Sequence, residues 1–206
     1  MRINKFLLAA GFTAAIAMPA FGQGSPAPSA SGSTANKAPS SQEFVKKAAM
    51  TNMFEIKAGH IAEQKTKNSK VDSYAKMIIN DHQKMQNKLQ PIAKNVQGAK
   101  IPQKLDQAHQ TKINQLQQAS GAKFLKTFKQ QQVQGHEKGV SMFQAYAQHG
   151  QNAHLKQLAK NGVPVLKKHL RHAQNLPTST GAPTVGAGSH MNKGTKGSNM
   201  GSGANR

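Results

Sequence analysis

Four residues with metal-ligating side chains fall where the helical pattern of this chain expects an apolar one. Glu55 lies 11 residues after Phe44. Eleven steps of about 100° return to within ~20° of the starting direction, so the two share a helix face. His82 stands four residues after Ile78 and three before Met85. His136 stands eight after Phe128 and four before Val140, and His169 three after Leu166 and four before Ala173. Each of four long amphipathic segments thus carries one inward-facing Glu or His. Their heights agree as well: Glu55 and His82 each sit ~18 Å along their helices from the loop that joins them, at ~1.5 Å per residue. His136 and His169 are also near mid-helix. In an up-down-up-down bundle the four would form one middle layer, which is how helical bundles build metal sites.

Two arrangements satisfy such a layer. A buried carboxylate is costly unless paired, so three imidazoles and Glu55 could complete one another as a hydrogen-bond network. Alternatively, Glu55, His82, His136 and His169 could hold one transition-metal ion. Imidazole with carboxylate suits zinc, copper, iron, nickel or manganese, and the identity stays open. Met85, one turn from His82, offers a soft contact to copper, although at this spacing methionine is usually core. The chain has no Cys, which excludes thiolate sites, disulfide frameworks and thiol catalysis.

The elements that must position these residues read as helices between Gly and Pro punctuation. A first helix spans about 41–67, opened by the capping box Ser40-x-x-Glu43. A second spans about 70–97, with Ser69 as N-cap, Gly98 past its end and a kink expected at Pro91. A shorter helix starts at Ile101-Pro102 and ends near Ser120-Gly121. The last two span about 122–148, ended by Gly150, and 152–175, with a bend at Pro164. The fold expected is all-α: an up-down four-helix bundle over 41–176 with one additional short helix.

The other histidines, His60, His109, His149, His154 and His172, fall off the apolar faces or near helix ends and read as solvated. Asp81 and Glu137 each adjoin a candidate histidine. Neighbours on a helix point ~100° apart, so neither shares its neighbour's ligand position, and both read as supporting or surface charges. Glu63 reads as half of a surface ion pair.

Outside the helical body, residues 1–22 read as a secretory leader. Arg2 and Lys5 precede an apolar run, Phe6–Met18, of 13 residues, shorter than the ~20 a membrane span needs. Ala20-Phe21-Gly22 suits cleavage after Gly22, and the alternative is an uncleaved anchor. No Cys follows for lipid attachment, and no other stretch could span a bilayer. The expected location is periplasmic or secreted. The Gly-, Ser- and Pro-rich segments 23–40 and 177–206 bury too little apolar surface to order and are expected to be a disordered linker and tail.

With 28 basic and 7 acidic residues the formal net charge is +21. Such a balance points to anionic partners rather than to a fold. Lysines spread around the helices, with aromatic residues at only 5%, favour diffuse attraction to anionic envelope components over sequence-specific nucleic-acid binding.

Several segments together resemble one family. They are Phe44 through Glu55 to Ala62, Val71-x3-Ala75-x-Met77-Ile78-x2-Asp81-His82, Leu89-x3-Ala93, Ser120-Gly121-x2-Phe124, His136-x3-Val140-x2-Phe143 and Pro164-x-Leu166-x2-His169. Over 41–176 the chain is similar to the bacterial domain of unknown function 4142 family, which implies an exported, ferritin-like four-helix bundle of unassigned activity. There are departures. Leu125 stands where the family often has Asp. Ile79 and Leu166, three residues before His82 and His169, occupy the Glu positions of the ferritin-like di-iron pattern. Ferroxidase activity is therefore not supported. No nucleophile elbow, phosphate loop or paired carboxylates occur, so only a metal-centred reaction stays open. Two functions follow: an exported bundle binding one metal ion at its centre, or a non-enzymatic cationic envelope protein binding anionic surface polymers.

Overall fold

The computed structural model describes residues 38–180. The leader, and most of the two flanking segments expected to be disordered, lie outside the described residues. Five helices follow one another: α1 (Ser41–Lys65), α2 (Ser69–Lys94), α3 (Gln107–Gln118), α4 (Gly121–His149) and α5 (Ala153–Gln174). No strand occurs among the described residues, so the expected all-α class stands.

Side-chain caps fix most of the helix starts. The Ser40 hydroxyl accepts from the Glu43 N–H at 3.2 Å, and the Ser40 N–H donates back to the Glu43 carboxylate at 3.4 Å, completing the capping box. Asn68 rather than Ser69 caps α2, its carbonyl oxygen accepting from the Lys70 and Val71 N–H groups. An Asn cap serves as well as Ser, and it moves the start by one residue. Asp106 and Asn152 cap α3 and α5 in the same way. Gly121, expected to end the short helix, opens α4 instead. Its φ of +52° is left-handed, which glycine adopts at little cost. Both α2 and α5 continue helically through Pro91 and Pro164.

Each helix buries one face, and the buried residues separate into two apolar clusters. The first joins Phe54, Ala62, Val71, Ile78, Leu116, Phe124, Phe128 and Ala173. The second joins Phe44, Ala48, Leu89, Phe143, Tyr146, Leu155 and Leu166. Thus the C-terminal part of α1, the N-terminal parts of α2 and α4 and the C-terminal part of α5 share one end. Every neighbouring pair of long helices is therefore antiparallel, as an up-down bundle requires. The chain order around the bundle is α1, α2, α5, α4. The stretch containing α3 carries the chain back along the bundle before α4 begins, so α4 runs parallel to α2. A single long crossover of this kind is the ferritin-like connection. The Lys65 ammonium pins the end of α3, donating to the carbonyls of Gln117 and Ala119, the latter at 3.0 Å.

Packing inside the clusters is close. Phe44 stacks on Tyr146 with ring centroids 4.1 Å apart. Gly162 lets α5 approach α4: a Cβ there would lie 2.6 Å from a Phe143 ring carbon. Among the described residues no helix is long and apolar enough to cross a membrane.

Candidate metal centre

Between the two apolar clusters lies a layer of buried polar side chains: Asn52 and Glu55 from α1, His82 from α2, Gln132 and His136 from α4, and His169 from α5. His82 and His169 are fully inaccessible and His136 is 2% exposed. One ring nitrogen from each of the three histidines lies within 4.8 Å of the other two. The ring centroids are 5.2–5.7 Å apart. The sequence spacing thus brings all three imidazoles together.

The outward hydrogen bonds fix which nitrogen of each ring faces inward. A neutral imidazole has one N–H and one lone pair. His136 Nδ1 lies 2.8 Å from the Gln132 carbonyl oxygen, which can only accept, so Nδ1 carries the proton. His169 Nε2 lies 3.0 Å from an Asp81 carboxylate oxygen and donates to it. His82 Nδ1 lies 2.9 Å from Asn52 Oδ1. The Asn52 amide nitrogen donates to Gln86 Oε1 at 3.1 Å, which orients Oδ1 toward the histidine as acceptor. Three lone pairs are left, on His82 Nε2, His136 Nε2 and His169 Nδ1, and they converge. His82 Nε2 has no hydrogen-bond partner among the described residues. His136 Nε2 and His169 Nδ1 face each other at 3.2 Å.

Electrostatics keeps these rings neutral. Burial, reinforced by the neighbouring rings, holds His82 well below the usual histidine range. Burial and His169 push His136 down to about 3. Burial also lowers His169, against the pull of Asp81. A hydrogen bond between His136 and His169 would require one ring to become an imidazolium, which this environment opposes. Neutral imidazoles with inward lone pairs and outward N–H groups anchored on carbonyl or carboxylate oxygens are how proteins present histidine to a metal. Metal–nitrogen bonds of about 2.0–2.1 Å put tetrahedral ligand nitrogens roughly 3–3.5 Å apart. The His136–His169 pair already has that separation at 3.2 Å, and the nitrogen that His82 offers lies within 4.8 Å of both.

Glu55 is buried in the same layer, 1% exposed, but it is not one of the three residues whose ligand atoms gather. Its Oε1 faces Gly135, where a Cβ would come within 3.2 Å, and its Oε2 has no hydrogen-bond partner among the described residues. Burial raises its pKa to about 8, against the influence of the Gln132 amide and Lys112. Helix α1 reaches the histidines through Asn52, one turn earlier. Met85 is in the second apolar cluster.

Sequence reasoning missed Asn52 and Gln132. Both had a signal in their spacing, three residues before Glu55 and four before His136 on otherwise apolar faces. Asp81 pairs with His169 across the bundle and not with its sequence neighbour His82. Glu137 is exposed. His60 and His109 contact nearby acids, Glu63 and Asp106, at 3.1 and 2.7 Å. His109 is half-buried, its ring edge against Phe54; His149, His154 and His172 are exposed.

The fold and this centre define a class: a four-helix bundle with one crossover and three buried histidines at mid-height. The chain belongs to the family described as Domain of unknown function (DUF4142), whose model matches residues 25–176. No curated protein and no solved structure matches it.

Proposed function

We propose that this protein binds one transition-metal ion at the centre of its bundle, with His82 Nε2, His136 Nε2 and His169 Nδ1 as ligands. The carrying observation is the convergence of three lone pairs whose opposite ring nitrogens are all committed to outward acceptors. Asp81, Asn52 and the Gln132 carbonyl orient the rings. Three nitrogen donors with no thiolate suit zinc, copper, iron or nickel. Glu55 was the expected fourth ligand. We assign it instead as a neutral acid beside the centre, so Glu55→Gln should leave metal affinity nearly unchanged.

Burial of the three histidines suits retention or sensing of the ion, or protection against it, and no ferroxidase role is assigned. Cobalt(II) titration of protein without a histidine tag tests the reading. Wild type should develop visible ligand-field absorption that saturates at one equivalent. His82→Ala and His169→Ala should each abolish it. An unchanged spectrum in either variant would refute the ligand set.

We infer export from the leader pattern at 1–22, with a mature chain beginning at Gln23. N-terminal sequencing of protein recovered from the cell envelope or medium should find that residue, and an intact Met1 would overturn this placement. The exposed lysines on α1, α2, α4 and α5 fit an anionic envelope environment as the surroundings in which the centre operates.

A further inference from the structure

The groove where α1, α3 and α4 meet is separate from the three central histidines: His82, His136 and His169 do not line it. It encloses about 210 Å³, room for about seven water-sized groups. Met50, Phe54 and Met142 give it apolar walls, and the buried Glu55 lines it too. Its only acid besides Glu55 is Asp106, which is paired with His109. Lys46, Lys112 and Lys138 also line it. Among the described residues, ion pairs engage Lys47 and Asp106 of this ring but none of those three lysines. The Lys112 ammonium stands 5.7 Å from the centre of the Phe54 ring.

Two glycines one turn apart, Gly135 and Gly139, line the α4 side. A side chain at Gly135 would press on Glu55 Oε1, so glycine there leaves room beside the buried acid on the groove side. Glu55 Oε2 has no partner, and a buried polar atom without one is costly. Three features therefore await three parts of a ligand. The lysines call for an anion and disfavour a metal cation in transit. Thioethers and a phenyl ring call for an aromatic body. The carboxyl calls for a hydroxyl, which both donates and accepts and so pairs with the acid in either protonation state.

We propose that this groove binds a small hydroxylated aromatic carboxylate, its anionic group among Lys46, Lys112 and Lys138 and its hydroxyl on Glu55. The site does not depend on the metal reading, since it uses none of His82, His136 and His169.

The test is a titration of chelator-treated, tag-free protein followed by amide NMR. The probes are 4-hydroxybenzoate, benzoate, which lacks the hydroxyl, and 4-hydroxybenzyl alcohol, which lacks the charge. Saturable shifts should centre on Gly135 and Gly139, with 4-hydroxybenzoate binding about tenfold more tightly than either control, the worth of one good hydrogen bond or ion contact. Lys112→Ala with Lys138→Ala should weaken both carboxylates while sparing the alcohol. Glu55→Leu should erase the preference of 4-hydroxybenzoate over benzoate. Lys138 is exposed and Lys112 half-buried, and neither belongs to an apolar cluster, so that arm stands even where the Glu55 variant fails to fold. Equal binding of the three probes, shifts elsewhere, no saturation, or carboxylate binding indifferent to the lysine changes would overturn the proposal. None of these outcomes bears on metal binding.

Discussion

At the scale of single residues, the centre depends on hydrogen bonds that point away from it. Asp81 holds His169 and Asn52 holds His82, so Asp81→Asn and Asn52→Ala should each cost roughly 10–100-fold in metal affinity while leaving the ligands present. Competition with a chromophoric chelator measures this, and unchanged affinity in both would mean the rings need no orienting. The metal-free protein also has a definite acid response. All three histidines have folded pKa values below their unfolded ones, so the unfolded chain takes up protons first. Their contribution is complete above about pH 6.5 and is lost as pH falls below it, through about 3 for His136. Glu55 acts in the opposite sense. Its folded pKa of about 8 lies above the ordinary glutamate value of 4.5, so its contribution is full below 4.5 and is lost as pH rises toward 8. Urea unfolding of apo protein should therefore show stability falling below pH 6.5. Glu55→Gln should reduce the loss that accumulates as pH rises from about 4.5 to about 8, read most clearly between about pH 6.5 and 8 where the histidines no longer titrate, and an unaltered slope there would contradict the burial of that acid.

The three histidines were legible because each interrupts an apolar face at a spacing that keeps it inside. Their partners were not. Asp81 meets His169 across 88 residues of chain, a pairing that only tertiary packing creates. Asn52 could be mistaken for an ordinary helix polar residue. Glu55 was placed on the correct buried face, but a face defines a direction to only tens of degrees. That cannot decide whether a side chain meets the histidines or the neighbouring groove.

At the scale of elements, the centre needs four helices held at matched heights. Gly162 sets the separation of α4 and α5. Replacing it with Ala puts a methyl group against the Phe143 ring and should destabilise the protein by about 1–3 kcal/mol, as overpacked cores do. Chemical denaturation would measure it, and an unchanged midpoint would show that the ring moves aside freely. Helix starts were largely readable from cap chemistry, Ser40 with Glu43 most clearly. The crossover was not. The hydrophobic pattern fixes which face of a helix is buried but carries little information on chain direction. Only the shared clusters show that α4 runs parallel to α2. The middle layer survives this change, because a residue near mid-helix keeps its height whichever way the helix runs.

At the scale of the whole molecule, the net charge of +21 over the full sequence does not by itself explain the buried centre. The exposed lysines shape where the protein resides and what collects on it. Association with an anionic polymer such as heparin should weaken steeply as salt rises, since surface charges are screened within about 8 Å at physiological ionic strength. Salt-independent retention on a heparin column would contradict a purely diffuse attraction. A ligand that binds only the folded chain raises its stability, so bound metal should raise the unfolding temperature. The most direct measurement of the central claim is the metal content of tag-free protein after incubation with excess zinc(II) and dialysis, determined by mass spectrometry of the elements. Wild type should retain one ion per chain, and the variant with His82, His136 and His169 all replaced by Ala should retain none. A wild-type chain that emerges without metal, or a triple variant that retains as much, would contradict it.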